Sequence, residues 1–269
     1  MCRLYIFRST EPTKVECTLV HAQNALMAQS LRDQSGLSHS HGWGLVAFEN
    51  GEPHVERQAW AAYHGEHFSR AAARTYATMV VAHVRRATVG EPRIENTHPF
   101  VDGSYTFAHN GTVPRFDTVR QPLLAAIASE HRQAIRGKTD SEHLFRYALT
   151  LLERDPTLTL AAVLRQVVND VELWLEELSI DKPLGLNLVL TDGHDIAGTR
   201  LGRTLYRIER RGVYDCEICG FPHIHHNPDR EHHAVVIASE PITHETWQEI
   251  PKRSLWTLGS EAQLSISAL

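Results

Sequence analysis

The chain has 269 residues, 42% of them apolar, with a formal charge of −5 and an isoelectric point near 6.4. That supplies enough apolar surface for a buried core in one large domain, while the acidic balance argues against nucleic acid as a partner and favours a small molecule. No apolar run reaches the roughly 18 residues of a membrane span, no basic-then-apolar leader opens the chain, and four scattered cysteines do not make a disulfide framework, so no membrane role and a cytoplasmic location are expected.

Residues 3–7 alternate as a strand, and the stretch at 15–33 is compatible with a helix. "GWGLVAF" and "EPHVERQAW" flank Asn50-Gly51, a dipeptide suited to a tight hairpin turn. A helical segment at 67–77 leads into "TMVVAHV" at 78–84, whose near-continuous apolarity marks a strand buried on both faces. "SYTFAHNG" at 104–111 reads as a strand running into a turn, and helices are expected at 118–132, 140–154 and 158–179. Beyond Pro183, "LGLNLVLTDGHDIAGTRLG" reads as a hairpin about Asp192-Gly193. This succession predicts an α+β layered fold in a single domain over 1–269, with a polar, His/Cys-rich excursion at 215–233.

Four motifs carry chemistry. Cys2 follows the initiator methionine, so removal of one residue would put a thiol and a free α-amine on the same residue. An amine with an ordinary pKa of about 7.7–8.0 can take the thiol's proton near neutral pH. Taken alone, Cys2 is equally a small apolar residue starting a strand. In "AHVRRATVG", Arg85 and Arg86 stand at a strand end, where a planar guanidinium can grip a carboxylate through paired hydrogen bonds; a solvated surface pair is the plainer reading. In "FAHNGTV", the Asn110 side-chain amide and the Gly111 backbone N–H are the two donors a tetrahedral oxyanion requires, although Asn-Gly is also an ordinary turn. In "GKTDSEHLF", Thr139 or Asp140 can cap the following helix, and a carboxylate there could instead bind a substrate ammonium.

In combination and in this order, Cys2, "HVRRATVG", "HNG" and "TDSE" resemble the class II glutamine amidotransferases, which are N-terminal-nucleophile hydrolases. The start "MCRLYIF", the "HGWG" at 41–44 and the "ASEPI" at 238–242 are similar to the stand-alone subfamily that includes the ergothioneine-pathway γ-glutamyl hydrolase and glutathione-degrading relatives. The resemblance implies a four-layer αββα sandwich, with Cys2 as nucleophile, its α-amine as base, and Asn110 and Gly111 as the oxyanion hole. It further implies that Arg85, supported by Thr88, binds the substrate α-carboxylate, and that Asp140 binds the α-ammonium. Val89 and Arg86 depart from the histidine and tryptophan of synthase-linked members, and His41 stands where stand-alone members often carry aspartate.

The expected reaction is cleavage of a γ-glutamyl amide, from glutamine or a γ-glutamyl peptide, through a Cys2 thioester, releasing glutamate and ammonia or an amine. No cofactor is required for it. Released ammonia would need a synthase partner as acceptor. The competing class is a catalytically retired sensor or binding module for a γ-glutamyl metabolite. In "DCEICGFPHIHHNPDREHH", Cys216, Cys219, His223 and His225 have the donors and spacing of a structural zinc site, although a single CxxC also fits a redox pair or a loop with incidental histidines. Cys17, among apolar residues on the helix-compatible stretch at 15–33, is expected in the core.

Overall fold

The computed structural model describes residues 2–224, 227, 229 and 231–269. Its organising feature is a set of strands buried on both faces. In β1 (Arg3–Lys14), Leu4 and Ile6 point to one side and Tyr5 and Phe7 to the other, and all four are buried. The same two-residue period recurs in β4 (Tyr76–Val84), where Met79 and Val81 oppose Val80, Ala82 and Val84, and in β10 (His233–Ala238), where Val235 and Ile237 oppose Ala234, Val236 and Ala238. A strand needs two apolar faces only when a layer covers each side of its sheet.

Those strands form a seven-stranded sheet with β2 (Trp43–Glu49), β3 (Glu52–Gln58), β9 (Tyr206–Arg211) and β11 (Gln248–Glu249), in the order β11-β9-β10-β1-β4-β2-β3. The second sheet has six strands: β5 (Phe100–Asp102), β6 (Tyr105–Thr112), β7 (Gly185–Thr191), β8 (Ile196–Arg200), β12 (Ser254–Leu258) and β13 (Leu264–Ala268), ordered β13-β12-β8-β7-β6-β5. The paired strands run antiparallel throughout.

Three apolar clusters hold four layers together. Leu4, Ile6, Met79 and Val81 of the first sheet meet Ala108, Val189, Trp256 and Leu258 of the second. The outer face of the first sheet is covered by α1 (Leu26–Leu31) and α2 (His67–Arg74), through Leu26, Phe68, Ala71 and Ala72. The outer face of the second is covered by α3 (Phe116–Ala126), α5 (Asp140–Arg154) and α6 (Leu160–Glu177), with the short α4 (Ser129–Gln133) against α5. The fold is therefore the αββα sandwich.

Several boundaries differ from expectation. The helix expected over 15–33 is broken into a wide π-helical turn at Cys17–His21 and the six-residue α1. Asn24 marks the break: its backbone N–H donates to the Ile242 carbonyl at 3.3 Å and its side chain to the Pro241 carbonyl at 2.6 Å, while the Gln29 side chain takes its carbonyl, so the backbone groups a helix would use are claimed elsewhere. β1 runs past Phe7 to Lys14 and tolerates Pro12 because its register with β4 shifts between Arg8 and Thr13, where a missing N–H breaks no ladder bond.

Candidate active site

Strand direction alone brings the predicted residues to one end of the sandwich. Cys2 immediately precedes β1, and the antiparallel pairing Arg3↔Val84 puts the C-terminal end of β4, and therefore Arg85, beside it. On the facing sheet, Asn110 has the parity of Ala108, which points into the space between the sheets, and it pairs with Asn187 of β7. Asn110 and Gly111 thus lie inside β6 rather than in the expected turn. A Cβ at position 111 would fall 1.9 Å from the Gly185 carbonyl oxygen, so the close approach of β7 requires glycine there.

Cys2 is 9% exposed, with its Sγ 3.7 Å from the Arg86 carbonyl. Burial pushes its thiol up, and the nearby Arg85 guanidinium partly offsets this. Cys2, Arg85 and Asp140 lie close enough for their charges to act on one another.

Arg85 is 2% exposed, which overturns the surface-pair reading. Its terminal nitrogens donate to the carbonyls of Val89 (2.9 Å), Gly90 (3.0 Å), Glu91 (3.1 Å) and, more weakly, His41 (3.5 Å). Residues 86–91 are wrapped around the guanidinium, and His41 pins the wrap by accepting the Ala87 N–H on Nδ1 at 2.9 Å. Burial, with Arg85 and Arg86 adding to it, lowers the pKa of His41, which favours the neutral ring that can accept this bond. Thr88 is exposed at the rim, its hydroxyl 3.2 Å from that of Thr112.

The capping ambiguity of "KTDSE" is resolved. Thr139 is the N-cap of α5, accepting from the Glu142 N–H, and Asp140 is thereby freed as the first helical residue. Asp140 accepts the Val113 N–H on Oδ2 and the Ser141 N–H on Oδ1, both at 2.9 Å. The carboxylate is held at the end of β6, on a helix N-terminus that favours its charge.

Two residues that sequence reasoning missed tie the site together. Ser239 Oγ accepts from the Leu4 backbone at 2.9 Å and from Asn110 Nδ2 at 3.2 Å, bridging the two sheets beside Cys2. Glu240 accepts from Arg3 Nε at 3.0 Å, while Arg3 also donates to Asp33 (2.5 Å) and to the Cys2 carbonyl (3.0 Å). Both belong to "ASEPI", which marked subfamily resemblance without announcing a role.

A separate group forms around the excursion. Cys17, Cys216, Cys219 and His223 place one donor atom each within 4.8 Å of one another. Cys17 therefore belongs to this cluster and not simply to the core, while His225 lies outside the described residues.

Comparison with known proteins accords with this geometry. The family described as class-II glutamine amidotransferases matches residues 15–266. A probable glutamine amidotransferase of Saccharomyces cerevisiae, DUG3, is 27% identical over 98% of this chain and 83% of its own. A gamma-glutamyl-hercynylcysteine sulfoxide hydrolase of Mycobacterium tuberculosis is 26% identical over 83% of this chain and 77% of its own. Among solved structures, a predicted glutamine amidotransferase from Pseudomonas aeruginosa aligns over the full length of both chains with a TM-score of 0.63 at 19% identity. The B. subtilis glutamine phosphoribosylpyrophosphate amidotransferase aligns over 99% of this chain and 49% of its own, with a TM-score of 0.62 at 17% identity. With the family match covering nearly the whole chain and the sandwich shared with these structures, the protein belongs to the class-II glutamine amidotransferases.

Proposed function

We propose that the protein hydrolyses a γ-glutamyl amide through a thioester on Cys2. The observation that carries this reading is the convergence of Cys2, Arg85, Asp140 and the Asn110-Gly111 donors at one end of the sandwich, from four separate segments of the chain. The names of the relatives, a glutamine amidotransferase and a γ-glutamyl hydrolase, fit the same bond.

A thiol pushed up by burial is mostly protonated near neutral pH, so it needs a base. Removal of Met1 supplies one in the α-amine of Cys2 itself. As the amine takes the proton, sulfur attacks the γ-carbonyl carbon and the carbonyl π pair moves onto oxygen. That oxyanion is met by the Gly111 N–H and by an Asn110 Nδ2 hydrogen, the other being directed at Ser239. Collapse breaks the C–N bond as the ammonium returns its proton to the leaving nitrogen. Water then attacks the thioester with the amine again as base, giving glutamate and restoring the thiol.

Asp140 binds the substrate ammonium with the lone pairs its two backbone donors leave open. Arg85 binds the α-carboxylate once that group displaces carbonyls of residues 89–91, so substrate entry is coupled to rearrangement of the 86–91 wrap. Thr88, on that wrap, supports the bound carboxylate.

The test is an intact-mass spectrum of the purified chain before and after incubation with a glutamine-like electrophile, with Cys2→Ala as control. Loss of Met1 and a single adduct absent from Cys2→Ala are expected. Retention of Met1 with no adduct would replace hydrolysis with a γ-glutamyl sensor.

A further inference from the structure

We propose that Cys17, Cys216, Cys219 and His223 form a structural zinc site that fastens residues 215–224, the first part of the excursion, to the outer layer of the first sheet. In a tetrahedral site with zinc–sulfur bonds of about 2.3 Å and zinc–nitrogen bonds of about 2.0 Å, ligand atoms lie roughly 3.5–3.8 Å apart. The four donors here are mutually within 4.8 Å, and Cys219 Sγ lies 3.2 Å from His223 Nε2. Closure on an ion therefore needs shifts of about 1 Å or less.

The backbone around the donors has the shape such a site demands. The Ile218 N–H points at Cys216 Sγ at 3.4 Å, the Gly220 N–H closes the turn onto the Cys216 carbonyl at 2.8 Å, and the Cys216 N–H returns to the Phe221 carbonyl at 3.1 Å. Gly220, directly after Cys219, has φ +74°, which lets the chain turn back after the second thiol on its way to His223. An N–H aimed at a thiolate sulfur is the outer-sphere support that a metal-bound cysteine requires.

The other two ligands are brought in by long-range pairing. The Lys14 N–H donates to the His223 carbonyl at 2.9 Å, and Thr13 bridges Ile224, so the end of β1 carries the excursion. Three residues on, Cys17 opens the π-helical turn, whose wide ring is closed by Ala22 N–H to Cys17 O at 2.7 Å. A redox pair would need only Cys216 and Cys219; it would leave the positions of Cys17 and His223 without a reason.

Three thiolates and one imidazole at tetrahedral spacing suit zinc, and four protein ligands leave no open position for a substrate. The site is also separate from the chemistry: Cys17 follows, and His223 pairs with, the end of β1 opposite to Cys2. Its effect is to order a polar segment that buries little apolar surface and would otherwise keep its chain entropy.

The experiment measures metal content of the full-length chain, purified under reducing conditions and reconstituted with zinc, together with the absorption spectrum after cobalt(II) exchange. One zinc per chain is expected, with tetrahedral d–d bands and a thiolate-to-cobalt charge-transfer band. Cys17→Ser and the exposed-site variant Cys219→Ser should each weaken zinc binding by roughly two orders of magnitude and blue-shift or abolish that band, whereas Cys2→Ala should retain both. Cys219→Ser also guards against misfolding, since Cys219 is exposed and Cys17 buried. Absence of zinc from the reconstituted protein, iron in its place, or unchanged zinc affinity in Cys17→Ser with Cys219→Ser would overturn the proposal.

Discussion

Arg85 is a buried cation whose terminal nitrogens are ringed by backbone carbonyls, and that environment separates its two possible duties. If it only fixes the 86–91 wrap, its loss lowers stability and damages all substrates alike. If it grips the α-carboxylate, Arg85→Ala raises KM for a γ-glutamyl amide by roughly 100-fold or more, as expected for a desolvated charge pair, and removes the preference over an analogue lacking that carboxylate. We expect the second outcome, read from KM for both compounds. Arg85→Lys should rescue little, because an ammonium cannot present the planar set of donors that the carbonyls and a carboxylate share. In the proposed mechanism Asn110 serves the oxyanion instead. Asn110→Ala should lower kcat by about 10²- to 10³-fold with KM little changed, the signature of a donor used in the transition state. Ser239→Ala, which removes the Asn110 partner at 3.2 Å and the acceptor of the Leu4 N–H at 2.9 Å but no oxyanion donor, should lower kcat less; equal losses in kcat would mean that Asn110 serves packing instead of the oxyanion.

At the scale of elements, the entrance to β1 depends on one buried ion network. Arg3 is bound to Glu240 and Asp33 and to the carbonyl of Cys2, and His39 closes the group through Nε2 to Asp33 at 2.9 Å. Arg3→Met leaves two buried carboxylates without their cation, so a loss on the order of 3–5 kcal/mol is expected in urea unfolding. Because Arg3 donates to the carbonyl of Cys2, the proposed nucleophile, the variant should also lower kcat more than it raises KM, with partial recovery in Arg3→Lys; an unchanged kcat would confine Arg3 to stability. This network also marks where the sequence becomes hard to read. The alternation at the start of β1, the apolar run of β4, the β7–β8 hairpin about Asp192-Gly193 and the span of α5 are local signals and were legible, whereas the choice of Thr139 over Asp140 as cap was not. Ser239, Glu240, Asp33 and the metal-cluster place of Cys17 depend on partners up to 237 residues away, which no local pattern encodes. Asn110-Gly111 misled for the same reason: a good turn dipeptide is held in a strand by β7.

Across the whole molecule, the seams between layers are lined by buried, neutral histidines. His83 projects between the sheets and faces His98 at a ring separation of 4.3 Å, while His109 binds Ser141 and the Gly185 carbonyl beneath α5. Burial lowers the pKa of each, with Arg85 adding to it at His83 and His98, and burial brings His39 down to about 4. A histidine with a depressed folded pKa binds its proton more readily in the unfolded chain, whose value stays near 6.5. Its stabilising contribution is therefore complete above about pH 6.5 and is lost as pH falls toward the folded value. His39 alone accounts for on the order of 3 kcal/mol between about pH 6.5 and pH 4. On the alkaline side, burial raises Tyr5 and Tyr147, so their contribution is complete below about pH 10 and falls only above it. Stability should thus be level between about pH 7 and pH 9 and drop steeply below about pH 6. Urea midpoints measured across that range test the sign, and His98→Leu should flatten the acid limb without moving the alkaline one. A midpoint that stays constant down to about pH 5 would mean that these rings reach solvent and titrate normally, which the sealed inter-sheet layer does not allow.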